Sequence, residues 1–200
     1  RSRYNIYDVR LKAERNDDGF VLNGEKVQVL QSSGANLLIV TARTRGDRKN
    51  ADGVTLFLVD PKAAGVSMKT QNRVDSVNAN LITFDGVKLG SDAVLGTVHE
   101  GLKVLEPALD KARIAMAAQM LGGAEQAFAL AVDYLKERKQ FGVAIGSFQA
   151  LQHRATKLFI ELELTRSAVM AAASCVDEEP EKVSMMASLA KAQASECFLH

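Results

Sequence analysis

The chain has 200 residues, of which 47% are hydrophobic and 24% are charged. This composition is typical of a globular protein with a substantial buried core. Its 25 lysines and arginines balance 24 acidic residues, and a net charge of +1 argues against nucleic acid as the main partner. No apolar run approaches the roughly 20 residues of a membrane-spanning helix, so no membrane span is expected.

The first half of the chain predicts a β domain. Residues 7–13 alternate polar and apolar side chains, as a half-buried strand does. The turn sequence Asn16-Asp17-Asp18-Gly19 leads into a short return strand, and Asn23-Gly24 is a hairpin signal before the next one. Residues 37–41 form an apolar run suited to a fully buried strand, and residues 43–52 form a polar, exposed loop.

Further strands are predicted over residues 54–59, 66–69 and 81–89. Six or seven short strands with regular turn signals indicate a compact antiparallel β-sandwich or barrel-like domain.

After Gly96 the apolar residues recur every three or four positions, which indicates helices. One helix is predicted over residues 100–136, with Pro107 near its start. A second begins with Ser147 as N-cap and ends near Cys175, and a third begins at Val183. Long helices joined by short loops indicate an up-down bundle. The fold class is therefore α+β, with a β domain at 1–95 and the first part of a helical bundle at 96–200.

The two cysteines, Cys175 and Cys197, are interpreted as buried free thiols of a reducing compartment. Residues 190–195 carry no helix stop signal, so we expect the chain to be part of a longer protein. The three histidines lack ligand-like spacing, and no metal site is predicted. Gly122-Gly123 lies in a helix-period segment without a preceding strand, which favours close helix packing over a nucleotide-binding loop.

Arg138 stands at the end of the first long helix and admits two interpretations. The helix dipole alone favours an arginine in the last turn, whereas its planar guanidinium also suits a phosphate. Phe141 and Phe148 flank the Gly142 turn and are able to pack a flat ring, and Gln149 supplies an amide. The alternative is a hydrophobic staple around the helix entry with Gln149 in solvent.

Arg138-x-x-Phe141-Gly142 followed by Phe148-Gln149 resembles a motif of the acyl-CoA dehydrogenases. The passage 84–101, with Phe84, Val87, Leu95-Gly96 and Gly101, is similar to that family's entry into its helical domain. The resemblance covers the middle β domain and the first half of the C-terminal helical domain. It implies that the turn holds the diphosphate and adenosine of FAD on a neighbouring protomer. The implied cofactor-binding residues there are Arg138, Gln140, Phe141, Phe148 and Gln149.

Leu109-Asp110-x-x-Arg113 is similar to the family's Leu-Asp-x-x-Arg, which implies that these three residues line the acyl-CoA site. From spacing alone, Asp110 and Arg113 are equally explained by a solvated ion pair along a helix.

Two departures from the family pattern stand out. Gln28-Val29-Leu30 replaces a Trp-Ile-Thr that packs against the flavin, which leaves the backbone of Val29 and Leu30 to contact the ring. Ala112 stands where some branches carry a glutamate base, and the usual position of the base lies beyond residue 200. No catalytic residue is therefore assigned in this chain.

The resemblance implies FAD-dependent oxidation of an acyl-CoA to a trans-2-enoyl-CoA in fatty acid β-oxidation, with hydride transfer to flavin N5. It also implies electron-transfer flavoprotein as acceptor, a homotetramer built as a dimer of dimers, and a location in the bacterial cytoplasm or the mitochondrial matrix. The alternatives are a non-catalytic subunit of a mixed oligomer, a protein that binds CoA thioesters without oxidising them, and an acyl-CoA oxidase.

Overall fold

The β domain is a seven-stranded sheet in a computed structural model that describes residues 5–199. Its strands are β1 (Lys12–Asn16), β2 (Gly19–Leu30), β3 (Leu38–Arg43), β4 (Val54–Val59), β5 (Val66–Gln71), β6 (Ala79–Gly90) and β7 (Val94–Leu95). The order across the sheet is β5-β6-β2-β1-β3-β4-β7. Adjacent strands are antiparallel except β1 and β3, which are parallel and meet at Lys12 and Arg43. The predicted antiparallel domain thus contains one parallel contact.

The sheet curves around one apolar core. Phe20 on β2 and Phe57 on β4 are separated by two strands in the sheet, yet their ring centroids lie 5.1 Å apart. Leu22, Val59 and Val87 are fully buried in the same cluster. Burying several large apolar side chains, at about 1.5–3 kcal/mol each, is the main stabilising contribution to this domain.

Asn23-Gly24 does not form the predicted hairpin, because β2 continues through it to Leu30. The Asn23 side chain accepts a hydrogen bond from the Gly86 amide at 2.8 Å, and the register against β6 shifts between Leu22 and Gly24. Pairing with β6 on the far side of β2 therefore outweighs the local turn preference, and the two residues form a bulge.

Two further strand predictions need correction. Residues 38–43 do not form a fully buried strand, since Ile39 on β3 is 62% exposed and only one face of β3 packs on the core.

Arg43 is predicted in an exposed loop, but in the structure it ends β3 and is buried. Its guanidinium donates to the backbone oxygens of Tyr7, Arg48, Asn50 and Asp52. Burial lowers the pKa of Arg43. Its bonds to Arg48, Asn50 and Asp52 hold the 44–53 loop in place.

The helical part contains α1 (Gly101–Glu137), a short hairpin of β8 (Lys139–Gln140) and β9 (Val143–Ala144), α2 (Gln149–Glu178) and α3 (Val183–Leu199). Ile114 and Ala117 on α1, Ala172 on α2, and Ala190 and Ala194 on α3 share one core. The four alanines among them are small enough to permit close helix packing. The predicted class, a β domain followed by helices, is confirmed.

Smaller predictions for the helices had mixed outcomes. Ser147 is not the N-cap of α2; it lies in a 3₁₀ turn, and Phe148 occupies the cap position. Cys175 and Cys197 are free and buried, as expected. A Cβ on Gly123 would lie 3.0 Å from the Phe198 ring, which confirms close packing there, but no atom lies within 4 Å of the same position on Gly122.

The chain divides into two compact units, Arg1–Leu105 and Glu106–His200. The boundary expected between residues 95 and 96 stays a prediction.

Candidate functional site

The connection between α1 and α2 contains a β-hairpin with a two-residue turn. Lys139 and Gln140 pair with Ala144 and Val143, and the turn residues Phe141 and Gly142 have φ angles of 53° and 84°. Two consecutive positive φ angles are the signature of a type I′ turn, whose twist matches that of its strands. A glycine suits this conformation, whereas a phenylalanine pays for it in backbone strain.

Backbone contacts fix the base of this hairpin. The Arg138 amide donates to Tyr134 O at 2.9 Å, and the Ile145 amide donates to Arg138 O at 2.8 Å. A Cβ on Gly146 would lie 2.8 Å from Leu135 O, so only glycine allows the following turn to approach the end of α1 this closely. The Gln152 side chain donates to Gly146 O at 3.0 Å from the first turn of α2.

The side chains implied to bind the cofactor's diphosphate and adenosine lie on this hairpin and at its junctions with α1 and α2, and all except Phe148 are exposed. Phe141 is 93% exposed, and its ring packs edge-on against the half-buried Phe148 at 6.1 Å between centroids. Gln140 is exposed and donates to the backbone of Lys139. Among residues 5–199, the exposed side chains of Arg138 and Gln149 have no hydrogen-bond or ion-pair partner.

This arrangement fits an anionic ligand that carries a flat ring system. The Arg138 guanidinium has all its donors available, and the N-terminus of α2 adds a positive dipole end nearby in sequence. The strained backbone at Phe141 carries an aromatic side chain that lies in solvent and adds no buried surface to the core. Strain of this kind is concentrated at ligand-binding sites.

Leu109, Asp110 and Arg113 lie within one turn of α1. Asp110 is only 6% exposed, although aspartate is rarely buried without a partner. Its carboxylate forms an ion pair with Arg113, whose side chain is 35% exposed. The i,i+3 ion pair is therefore present, but its carboxylate is buried rather than solvated, and the guanidinium retains N–H donors. The place of these residues in the acyl-CoA site stays a prediction.

Val29 and Leu30 lie at the end of β2, where the strand is irregular. The register against β6 shifts between Lys26 and Val29, and Gln28 has a φ of 56° in this second bulge. β1 pairs with β2 only as far as Asn23, so β6 is the one described strand that pairs with residues 24–30. Leu30 is 56% exposed, and Val29 O accepts a hydrogen bond from the Ser32 hydroxyl at 2.9 Å.

The Val29 carbonyl is thus already engaged by Ser32, whose hydroxyl in turn accepts a bond from the buried Asn80 amide at 2.8 Å. A carbonyl oxygen has a second lone pair, so Val29 O remains able to accept another hydrogen bond from the flavin ring.

Sequence reasoning missed Lys26, which lies in the same stretch of β2. Its ammonium donates to the Thr41 hydroxyl at 2.8 Å, and burial lowers its pKa to about 8. Lysine in a strand is ordinarily an exposed residue, and no local signal marks this one. A hollow of about 200 Å³ surrounds it, while a larger one of about 260 Å³ lies along α2 at Arg154 and Lys157 and contains no predicted site residue.

In the described part of the chain, no three His, Cys, Asp or Glu side chains come together as a metal-binding group. None of the described helices has the length and apolar character needed to cross a membrane.

Two family models match the chain in succession. Residues 2–87 match the acyl-CoA dehydrogenase middle domain, and residues 99–199 match the acyl-CoA dehydrogenase C-terminal domain. The chain belongs to the acyl-CoA dehydrogenase family. The resemblance carried by Arg138, Phe141, Phe148 and Gln149 is thereby confirmed at the level of the family.

Individual relatives agree with this membership. The bovine mitochondrial short/branched chain specific acyl-CoA dehydrogenase is 34% identical over 199 residues, which cover 95% of this chain and 44% of that protein. Butyryl-CoA dehydrogenase from Megasphaera elsdenii has a TM-score of 0.85 at 31% identity, covering 97% of this chain and 52% of its own.

A chain in the structure of the electron transferring flavoprotein of Acidaminococcus fermentans also matches. It has a TM-score of 0.85 at 31% identity and covers 96% of this chain and 50% of its own. The acyl-CoA dehydrogenase chain described here therefore spans about half the length of the relatives it matches.

Proposed function

We propose that this chain binds FAD and lines the acyl-CoA site of an enzyme that oxidises an acyl-CoA thioester to a trans-2-enoyl-CoA. The observation that carries the proposal is the type I′ hairpin at Phe141-Gly142, which presents Phe141 and an unpartnered Arg138 to solvent. Family membership supplies the chemical context. When bound, FAD accepts the hydride from the acyl chain.

When FAD is bound, Arg138 would hold its diphosphate, because a guanidinium is able to donate two N–H groups to phosphate oxygens. The positive dipole end at the start of α2 adds attraction for the same negative charge. Phe141 and Phe148 pack against the adenine, and Gln149 orients it with its amide. Through these contacts, the hairpin of one copy holds a cofactor whose flavin serves a neighbouring copy.

Arg113 orients the CoA tail of the substrate in its pocket. Its guanidinium is anchored on one side by the buried Asp110 carboxylate, and its side chain is 35% exposed. Anchoring lowers the conformational entropy that the arginine loses when it binds a ligand. Leu109, half-buried on the same turn, contributes apolar surface for the acyl chain. No catalytic base is placed on this chain; we expect it beyond residue 200.

The test is flavin reduction by substrate. The purified full-length protein, including the segment expected beyond residue 200, should carry FAD, and addition of a short-chain acyl-CoA without external acceptor should bleach its visible absorbance. The thioester of the corresponding enoic acid should appear in equal amount. A protein that binds no FAD, or one whose FAD is unchanged by acyl-CoAs of every chain length, contradicts the dehydrogenase proposal.

A second candidate is a non-catalytic subunit of a mixed oligomer, and the end of β2 favours it. Gln28 and Leu30 provide neither an aromatic ring nor a hydroxyl next to the flavin, and Gln28 lies in a strained bulge. Bound FAD that no acyl-CoA reduces, together with co-purification of a second dehydrogenase-like chain, would support this alternative. Electron-transfer flavoprotein is the proposed acceptor only in the catalytic case.

A further inference from the structure

The β domain contains a small apolar pocket where β2 and β3 diverge. β1 lies between these strands only at one end, so residues 26–29 and 38–41 border an opening in the sheet. Ile82 and Phe84 of β6 complete the lining, and the volume is about 200 Å³. Pockets for drug-sized ligands begin at roughly 300 Å³, so this pocket accommodates only a small group.

Lys26 places an amine in this pocket. Of the described residues that line it, Lys26 alone is ionisable, and no carboxylate is present to hold its charge. The side chain is partly exposed through the opening, and its nitrogen is held by one hydrogen bond to Thr41 Oγ1. The amine is therefore held in position, half-buried and surrounded mainly by apolar side chains.

We propose that Lys26 is a site of covalent acylation by small acyl thioesters. The nitrogen lone pair attacks the thioester carbonyl carbon, the C–S bond breaks, and the thiolate leaves. The nitrogen then loses a proton to solvent, which leaves an amide and a free thiol. Nothing is oxidised or reduced, and the thioester is the sole co-reactant.

Burial makes this amine unusually reactive near neutral pH. Since its pKa is lowered to about 8 by desolvation, roughly a tenth of Lys26 is neutral at pH 7, against about 0.04% of an ordinary lysine. Lower basicity reduces intrinsic nucleophilicity and offsets part of this roughly 200-fold advantage, as it does for thiols. We expect a net rate advantage of about tenfold.

The size of the pocket sets the acyl group. A two- to four-carbon acyl chain fits beside the apolar side chains of Val29 and Val40, whereas a long chain exceeds the available volume. The site does not depend on the proposed dehydrogenase activity, because any small thioester is a sufficient donor and neither FAD nor a nucleotide is required.

The experiment uses S-butyryl-N-acetylcysteamine, a thioester without a nucleotide, on the purified native protein. Acylation of each lysine is followed by peptide mass spectrometry between pH 6.5 and 10.5, with the exposed strand lysine Lys69 as internal comparison. Lys26 should be modified about ten times faster than Lys69 at pH 7.5, with half-maximal rate near pH 8. The advantage should disappear in denaturant, and S-dodecanoyl-N-acetylcysteamine should not show it.

Three results would overturn the proposal: equal rates at Lys26 and Lys69 in the native protein, a Lys26 rate that still climbs above pH 9.5, or equal modification by the dodecanoyl thioester. The first would show that the pocket confers no reactivity, and the last that the reaction takes place outside it. The dehydrogenase proposal is tested by flavin bleaching and is unaffected by any of them.

Discussion

Phe141 occupies a backbone conformation that a large L-residue avoids. Its φ of 53° and 93% exposure mean that the folded protein bears strain without gaining buried surface. We predict that Phe141→Gly leaves stability unchanged or raises it by up to about 1 kcal/mol in urea unfolding, because glycine adopts this φ freely. The same variant should bind FAD more weakly, since an aromatic contact is lost.

The control is Val143→Thr, which alters an exposed side chain on the same hairpin at a position with an ordinary backbone. This control should change neither the free energy of unfolding nor the affinity for FAD appreciably. A Phe141→Gly variant that loses stability while it keeps full FAD affinity would show that the ring has a structural role only.

Lys26 makes a separate contribution to the pH dependence of stability. The unfolded state holds its proton more tightly than the folded state, whose Lys26 pKa is about 8. The free energy of unfolding therefore rises with pH between about 8 and 10.5 and is independent of this group below that window. Urea unfolding at pH 7.5 and 9.5 should show wild type gaining about 2 kcal/mol more than Lys26→Met. Parallel pH profiles for the two proteins would contradict the burial of this amine.

At the scale of elements, the neighbouring glycines of α1 allow a matched comparison. Gly122→Ala adds a methyl group where no atom lies within 4 Å, so it should stabilise the protein by about 0.5–1 kcal/mol through helix propensity. Gly123→Ala must displace the Phe198 ring and should gain less. Thermal unfolding measures both, and equal gains would mean that α3 does not pack on α1 at Gly123.

The elements themselves were largely predictable from periodicity. β4 and the starts of α1 and α3 fall at or within one residue of their predicted positions, because burial of an apolar face dictates both the pattern and the element. The errors share one cause. Asn23-Gly24 and Ser147 carry strong local signals, but pairing with β6 in one case and the 3₁₀ turn in the other take precedence.

The candidate site likewise has features that the sequence predicts and features that it does not. The placement of Arg138, Phe141 and Phe148 in the connection between α1 and α2 follows from their spacing along the chain. The burial of Asp110, the four-acceptor role of Arg43 and the pocket at Lys26 depend on contacts between residues distant in sequence. No local pattern encodes such contacts, so these features emerge only from the folded structure.

At the scale of the whole molecule, the proposal links cofactor retention to assembly. If the hairpin of one copy holds FAD for another, dissociation of the oligomer should release the cofactor. Size-exclusion chromatography with light scattering should show a tetramer at high concentration, and dilution should shift mass and flavin content together. A monomer that keeps its FAD would contradict binding across copies.

The most direct test of the central claim is the FAD affinity of Arg138→Ala. Loss of a charge-assisted contact to phosphate is worth about 2–3 kcal/mol, so the Kd for FAD should rise roughly 30- to 150-fold. The Kd of Arg138→Lys for FAD should fall between those of the wild type and Arg138→Ala. Lys136→Ala removes an exposed cation from the last turn of the same helix and should change this Kd little. If Arg138→Ala binds FAD as tightly as wild type, this loop does not hold the diphosphate and the assignment of the site is wrong.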